Sequence, residues 1–306
     1  MRWEQKAAIA RACARLPLGG SLYKFGQKHF GQLCAQPAVR LDAQAEMVRW
    51  LIKSGMQVLN KRLFEVGTGH IPVVPIGFYL AGAAETITVD VNRRIDWTLT
   101  GESLEWIASH EGELAVLYGS GLVEEAVFHE RFAMLVDSKS NARRFLDKAG
   151  IRYLAPADAG NTRLPSGSVD CHYSMTVLEH IPDEMLQSIL SEARRILKPN
   201  GVALHFIDPS DHFEHQDREI TPINFLKYSD AEWRRIAGNE FTYCNRLRAS
   251  DFLRLASNAG FGVIRCETVI DEASKSAVRD GFVIDQRFAH YGLDDLCTRT
   301  LHVMWQ

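Results

Sequence analysis

Glu65, Gly67, Gly69 and Asp90 are the residues whose types and spacing most clearly call for a ligand. The first three lie in LFEVGTGHIPVVPIGFY (63–79), where an apolar run carries an acid, turns on two glycines around Thr68, and restarts beyond Pro72. A strand, a glycine turn and a helix N-terminus make a nucleotide cradle, because glycine lets backbone approach a ligand closely. Asp90 follows Gly69 by 21 residues, where an acid can accept both hydroxyls of a ribose. A dinucleotide fingerprint needs a third glycine so that pyrophosphate can sit on the helix N-terminus, and Pro72 stands there instead. Glu65 would repel a phosphate and attract an ammonium group. The pattern therefore asks for a ribose-bearing, phosphate-free ligand with a cationic tail.

A second group lies in DPSDHFEHQD (208–217), which gathers Asp208, Asp211, His212, His215 and Asp217. An imidazole oriented by a carboxylate is suited to taking a proton from a hydroxyl near neutral pH. His212 is the preferred base, with Asp208 or Asp211 as its orienter and His215 as second choice. The same groups could ligate a divalent cation or form a solvated polar loop, and no metal is expected. His70 could face a ligand or serve as a cap, and His205, inside a strand, reads as a core histidine.

The elements that must position these groups alternate. Residues 1–60 read as a helical extension, with helices at about 3–16, 21–33 and 41–58, the last carrying Leu41, Met47, Val48, Leu51 and Ile52 at helical spacing. From residue 61, strands are expected at 62–66, 86–90, 152–155, 169–175 and 201–208, with helices between. Such a pattern argues for an α/β fold built on a parallel sheet covered on both faces. Helical insertions are expected at about 92–151 and 209–247, then a helix at 248–260 and closing strands at 261–270 and 298–305.

Composition narrows the function further. The chain has 306 residues, 46% hydrophobic and 24% charged, with a net charge of −3. That balance gives no support to nucleic-acid binding. Six scattered cysteines form no C-x-x-C pair, so reduced thiols in a cytoplasm are the expected state. The longest nearly unbroken apolar stretch, Ile71 to Ala84, is too short to span a bilayer and contains two prolines. In segment 1–20, Arg2, Lys6, Arg11 and Arg15 alternate with apolar residues. That weakly amphipathic helix either packs on its own domain or serves as a transit peptide or peripheral membrane contact.

The spaced motifs resemble class I S-adenosylmethionine-dependent methyltransferases. Glu65-x-Gly67-x-Gly69, Asp90, ADAGNTRLPSGSVDCHYSMTVLEHIPD (157–183) and ILKPNGVALHF (196–206) carry the likeness, which covers roughly 62–208. The resemblance implies a Rossmann-like, seven-stranded, mostly parallel sheet whose last strand is antiparallel between its neighbours. It implies S-adenosyl-L-methionine as cofactor, a ligand that meets the requirements read from Glu65 and Asp90. Glu65 would hold the methionine amine, Gly67, Thr68 and Gly69 would admit the methionine moiety, and Asp90 would bind the ribose. Val91 would pack on the adenine, Asp158 and Ala159 would meet its amino edge, and Met175 and His180 would lie beside the sulfonium. Ile71 replaces a third glycine frequent in the family, which bears on the local backbone path.

Methyl transfer from a sulfonium is an in-line displacement, and an alcohol acceptor also needs a base or a metal. The expected activity is O-methylation of a glycan or related hydroxylated metabolite. A weaker resemblance to methyltransferases of bacterial surface-polysaccharide biosynthesis, in IDPSDHFEH and NFLKYSDAEW, points the same way. Trp233, Phe241, Tyr243, Asn245, Arg246 and Arg248 suit a cover over such an acceptor. The N-terminal helices and both insertions would shape that site, and a homodimer is compatible with the reading. Two alternatives stay open: an N- or carboxyl-O-methyltransferase of a small molecule or peptide, and a cofactor-binding partner without turnover.

Overall fold

The computed structural model describes residues 1–29, 33–119 and 121–306. The strands are β1 (Arg62–Val66), β2 (Glu85–Val89), β3 (Ile151–Leu154), β4 (Val169–Met175), β5 (Leu197–Ile207), β6 (Val263–Ile270) and β7 (Thr298–Trp305). They form one seven-stranded sheet in the order β3-β2-β1-β4-β5-β7-β6. β1 pairs in parallel with β2 and β4, and β2 with β3, while β6 and β7 are antiparallel. The last strand thus lies between β5 and β6, as the resemblance implied. Strand order reverses between β1 and β4, and open α/β sheets bind ligands beyond the carboxyl ends of strands at such a switch point.

The helices preceding and following β1 are α1 (Trp3–Cys13), α2 (Gly19–His29), α3 (Pro37–Lys53) and α4 (Val73–Leu80). The section 92–151 holds α5 (Trp97–Ser109), α6 (Glu111–Gly119), α7 (Glu125–Ser138) and α8 (Ala142–Lys148). Beyond β4 come α9 (Asp183–Ile196), α10 (Asp230–Ala237), α11 (Ala249–Asn258), α12 (Glu272–Arg279) and α13 (Leu293–Leu296). The expected second helix, about 21–33, starts earlier and reaches His29; residues 30–32 of that expectation lie outside the described residues. The third helix runs 37–53 and not 41–58, because Pro37 is favoured in a first turn and Gly55 adopts a positive φ just past the end.

By contacts the chain forms two compact units that cut it elsewhere than residue 60. One holds 1–33, 175–190 and 205–305; the other holds 34–174, 191–204 and Gln306. The N-terminal helices are accordingly divided, α1 and α2 in the first unit and α3 in the second. In the first unit Trp3, Phe213, Phe225, Trp233 and Phe288 share one buried cluster. α1 packs on its own unit: its Trp3 ring lies 5.5 Å from Phe213, and its first amide donates to Asp217 at 2.8 Å. In the second unit β1, β2 and α4 are buried almost throughout, which is why these segments read as continuous apolar runs.

Candidate active site

The glycine cradle belongs to the second unit. Gly67 and Gly69 have φ of 80° and 69°, a left-handed backbone that costs other residues strain. A Cβ at Gly69 would meet nothing within 4 Å, so the space beside it is open. Ile71 does not share the positive φ, and its carbonyl accepts the Val73 amide at 2.9 Å, leading the chain through Pro72 into α4. A third glycine is not needed on this path.

Glu65 lies in register with Thr88 on one side and Tyr173 on the other. It is 3% exposed and accepts a hydrogen bond from the Thr88 hydroxyl, which also contacts that of Thr68. Burial pushes the Glu65 carboxyl up to about 8, with Thr88 and the Arg40 charge opposing the shift only in part. A buried acid held in this way is stabilised by an incoming cation. Asp90 accepts from the Gly69 amide at 3.4 Å and from the Tyr153 hydroxyl at 3.0 Å. Burial raises it to about 6 against these bonds. Val91, next in sequence, is 63% exposed, an apolar side chain available to a flat ring. Asp158 is exposed and accepts from the Gly160 amide at 2.8 Å, so it caps a turn, and Ala159 is buried beside it. His70 is held by the Arg94 carbonyl at 2.9 Å.

The histidine cluster belongs to the first unit. Met175 ends β4, and the short turn Leu178–His180 follows it. Past the end of β5, Asp208 lies 3.6 Å from His212 Nε2 and 3.3 Å from His215 Nε2. The two imidazole rings are stacked 5.0 Å apart, and His180 meets His212 edge-on at 4.8 Å. Burial would raise the Asp208 carboxyl, yet both histidines and Ser210 hold it well below the usual carboxylate range. Desolvation, with His180 nearby, lowers His212 to about 4. At neutral pH the cluster therefore pairs a carboxylate with a neutral imidazole.

Of the two acids expected to orient His212, the structure brings up Asp208 and not Asp211. Asp211 is 1% exposed and accepts from the Phe213 amide at 3.0 Å and the Asn224 side chain at 3.2 Å. Asp217 likewise anchors α1. His205 is fully buried, its ring 5.1 Å from Trp305.

A cavity of about 220 Å³ opens beside the cluster, walled by Lys6, Tyr23, His180, His212, Trp233 and Phe241 among others. The N-terminal helices and the 209–247 segment contribute to it, whereas none of its described lining residues comes from 92–151. Three polar side chains expected to cover an acceptor are committed to backbone. Asn245 donates to the carbonyls of Leu178 and Ile181, Arg246 to those of Phe225 and Tyr228, and Arg248 to those of Pro209 and Leu296. Sequence reasoning named Lys6 among the basic residues of its amphipathic helix but gave it no role in a site. It passed over Glu179, a fully buried acid inside the LEH run (178–180).

Residues 114–205 match the family model described as a methyltransferase domain. No curated protein matches the chain. Among solved structures, the chain is similar to geranyl diphosphate C-methyltransferase from Streptomyces coelicolor A3(2), at 11% identity and TM-score 0.47, with 85% of this chain and 78% of that one covered. It is also similar to an S-adenosylmethionine dependent methyltransferase from Mesorhizobium loti, at 16% identity and TM-score 0.41, with 87% and 99% covered. Likeness at this level carries nothing about substrate. The seven-stranded sheet with its antiparallel last strand and the glycine-turned cradle on β1 give the chain a Rossmann-like α/β fold, within which residues 114–205 match a methyltransferase domain.

Proposed function

We propose that the chain is an S-adenosylmethionine-dependent O-methyltransferase acting on a glycan or a related hydroxylated metabolite. Glu65 would hold the donor's ammonium group and Asp90 its ribose, with Gly67, Thr68 and Gly69 passing close to the methionine portion. Val91, Asp158 and Ala159 would meet the adenine, and Met175 and His180 the sulfonium end. When bound, the donor supplies a methyl group already activated by positive charge.

The chain's own task is to align a hydroxyl and take its proton. His212, neutral through the physiological range, accepts that proton while Asp208 stabilises the resulting imidazolium; His215, on the same carboxylate, is the second candidate. The observation that carries this reading is the shared carboxylate itself, with two imidazoles within 3.6 Å of Asp208 and the cavity beside them. Lys6, Trp233 and Phe241 on its walls suit a hydroxylated ring with an anionic substituent. Peripheral membrane contact through the N-terminal helices and homodimer formation belong to the same proposal: α2 leaves Leu22 and Phe25 more than half exposed. The test is incubation of the purified chain with S-adenosylmethionine and panels of hydroxylated sugars, amines and carboxylic acids, with products read by mass spectrometry. A gain of one methylene mass on a sugar hydroxyl is the expected outcome. Product only from amines or acids would overturn the acceptor class, and no product from any panel would overturn turnover.

A further inference from the structure

Glu179, His180 and His212 converge. Each offers a ligand atom, and these atoms lie within 4.8 Å of one another. In a tetrahedral nitrogen and oxygen site with bonds of about 2.1 Å, ligand atoms stand roughly 3.4 Å apart. Small side-chain movements separate the observed cluster from that geometry.

Glu179 gives the convergence its reason. Its side chain is fully buried, Oε1 accepts a long 3.4 Å contact from the Asp208 amide, and Oε2 has no hydrogen-bond partner among the described residues. A buried carboxylate oxygen left unmatched is costly, and a cation removes that cost. The backbone bearing the acid is fixed: the Asn245 amide donates to the Glu179 carbonyl at 2.9 Å, and the Asn245 side chain donates to the Leu178 and Ile181 carbonyls.

Both imidazoles are arranged as ligands usually are. His180 Nδ1 lies 2.9 Å from the Tyr243 carbonyl, and His212 Nε2 lies 3.3 Å from the Asp208 carbonyl. A ring nitrogen facing a carbonyl must be the protonated one, so each ring keeps a lone pair on its other nitrogen. This backbone-anchored tautomer is the usual outer support of a metal-bound histidine. The cavity beside the cluster leaves room for a further, exogenous ligand, as in sites that keep an open position.

We propose that Glu179, His180 and His212 form a binding site for one divalent transition-metal ion, with zinc as the fitting case. Two imidazoles and one carboxylate select such ions over magnesium or calcium, which favour all-oxygen surroundings. The proposal goes beyond the acceptor reading and does not depend on it. An ion on His212 would take the lone pair that proton acceptance needs, leaving the base role to His215 on Asp208.

The experiment uses the full chain, stripped with a chelator and titrated with zinc chloride by calorimetry and with cobalt chloride by visible absorption. One equivalent of zinc and a cobalt visible band are expected, with magnesium chloride giving neither heat nor competition. His180→Ala and Glu179→Gln should each weaken zinc binding at least tenfold. His180→Ala alters a surface-accessible side chain and keeps the test decisive if Glu179→Gln fails to fold. Absence of binding, or zinc affinity unchanged in His180→Ala, would overturn the site. Methyl transfer by chelator-stripped parent and His212→Ala protein, compared side by side, reads the base assignment separately.

Discussion

Asp90 and His212 titrate in different pH ranges, and this separates their roles. Asp90 sits near 6, raised by burial, so it becomes protonated as pH falls through that value and loses the charge that strengthens its bonds to ribose hydroxyls. His212 sits near 4, lowered by desolvation, so it stays neutral and able to accept a proton down to about pH 5. Between pH 8 and 5 the KM for the donor should rise, as Glu65, raised to about 8 by burial, and then Asp90 take up protons, while kcat at saturating donor stays level. Initial rates over a grid of donor concentration and pH check this, and a fall in kcat with a midpoint near 6.5 would count against a depressed His212. Asp90→Ala should weaken donor binding at least tenfold, about 1.4 kcal/mol, and calorimetry showing unchanged affinity would remove Asp90 from the ribose. His212→Ala should lower turnover by roughly 10²-fold in metal-free protein with donor affinity kept; an unchanged single-turnover rate would exclude it as base.

Packing between elements sets how firmly the cradle is held, and α4, which leaves the glycine turn, shows it most directly. A Cβ added at Gly77 would fall 2.5 Å from the Gln44 side-chain oxygen of α3 and 2.8 Å from the Tyr118 hydroxyl of α6. Those two groups are themselves hydrogen-bonded at 2.7 Å and buried, so neither can yield cheaply. Gly77→Ala should therefore destabilise the protein by about 1–3 kcal/mol, seen as a lower urea midpoint with an unchanged slope. A midpoint equal to the parent's would mean that α4 shifts freely against α3. Sequence predicted β1, β4 and β7 residue for residue, because each is a run with no exposed position. It placed the start of β5 four residues late, since Lys198 is only half-buried and Pro199 and Asn200 are exposed, so that this end lacks the apolar run of the rest. It could not see that Arg246 and Arg248 serve backbone carbonyls, because a buried arginine and a ligand-binding one have the same sequence signature.

At the scale of the whole molecule, motif order and charge made the fold and ligand class legible, whereas the cavity was not. The walls of the cavity come from residues 6, 23, 180, 212, 233 and 241 among others, and no local pattern links positions so far apart. Uptake of a cationic nucleoside, as proposed for the chain as a unit, would leave a thermodynamic trace. Glu65, raised to about 8 by burial, holds a proton in most molecules at pH 7. An ammonium group placed beside it favours the charged carboxylate, so binding must expel that proton. Calorimetry at pH 7 in two buffers of different ionisation enthalpy should show apparent enthalpies differing by nearly one proton's worth. S-adenosylhomocysteine, which keeps the ammonium but not the sulfonium, should release the same amount. Adenosine, lacking the amino-acid tail, should release only the roughly one-tenth of a proton that Asp90 can contribute. Glu65→Gln should abolish the difference between them. Enthalpies independent of buffer, or equal release with adenosine, would show that the buried acid is not where the cationic tail binds.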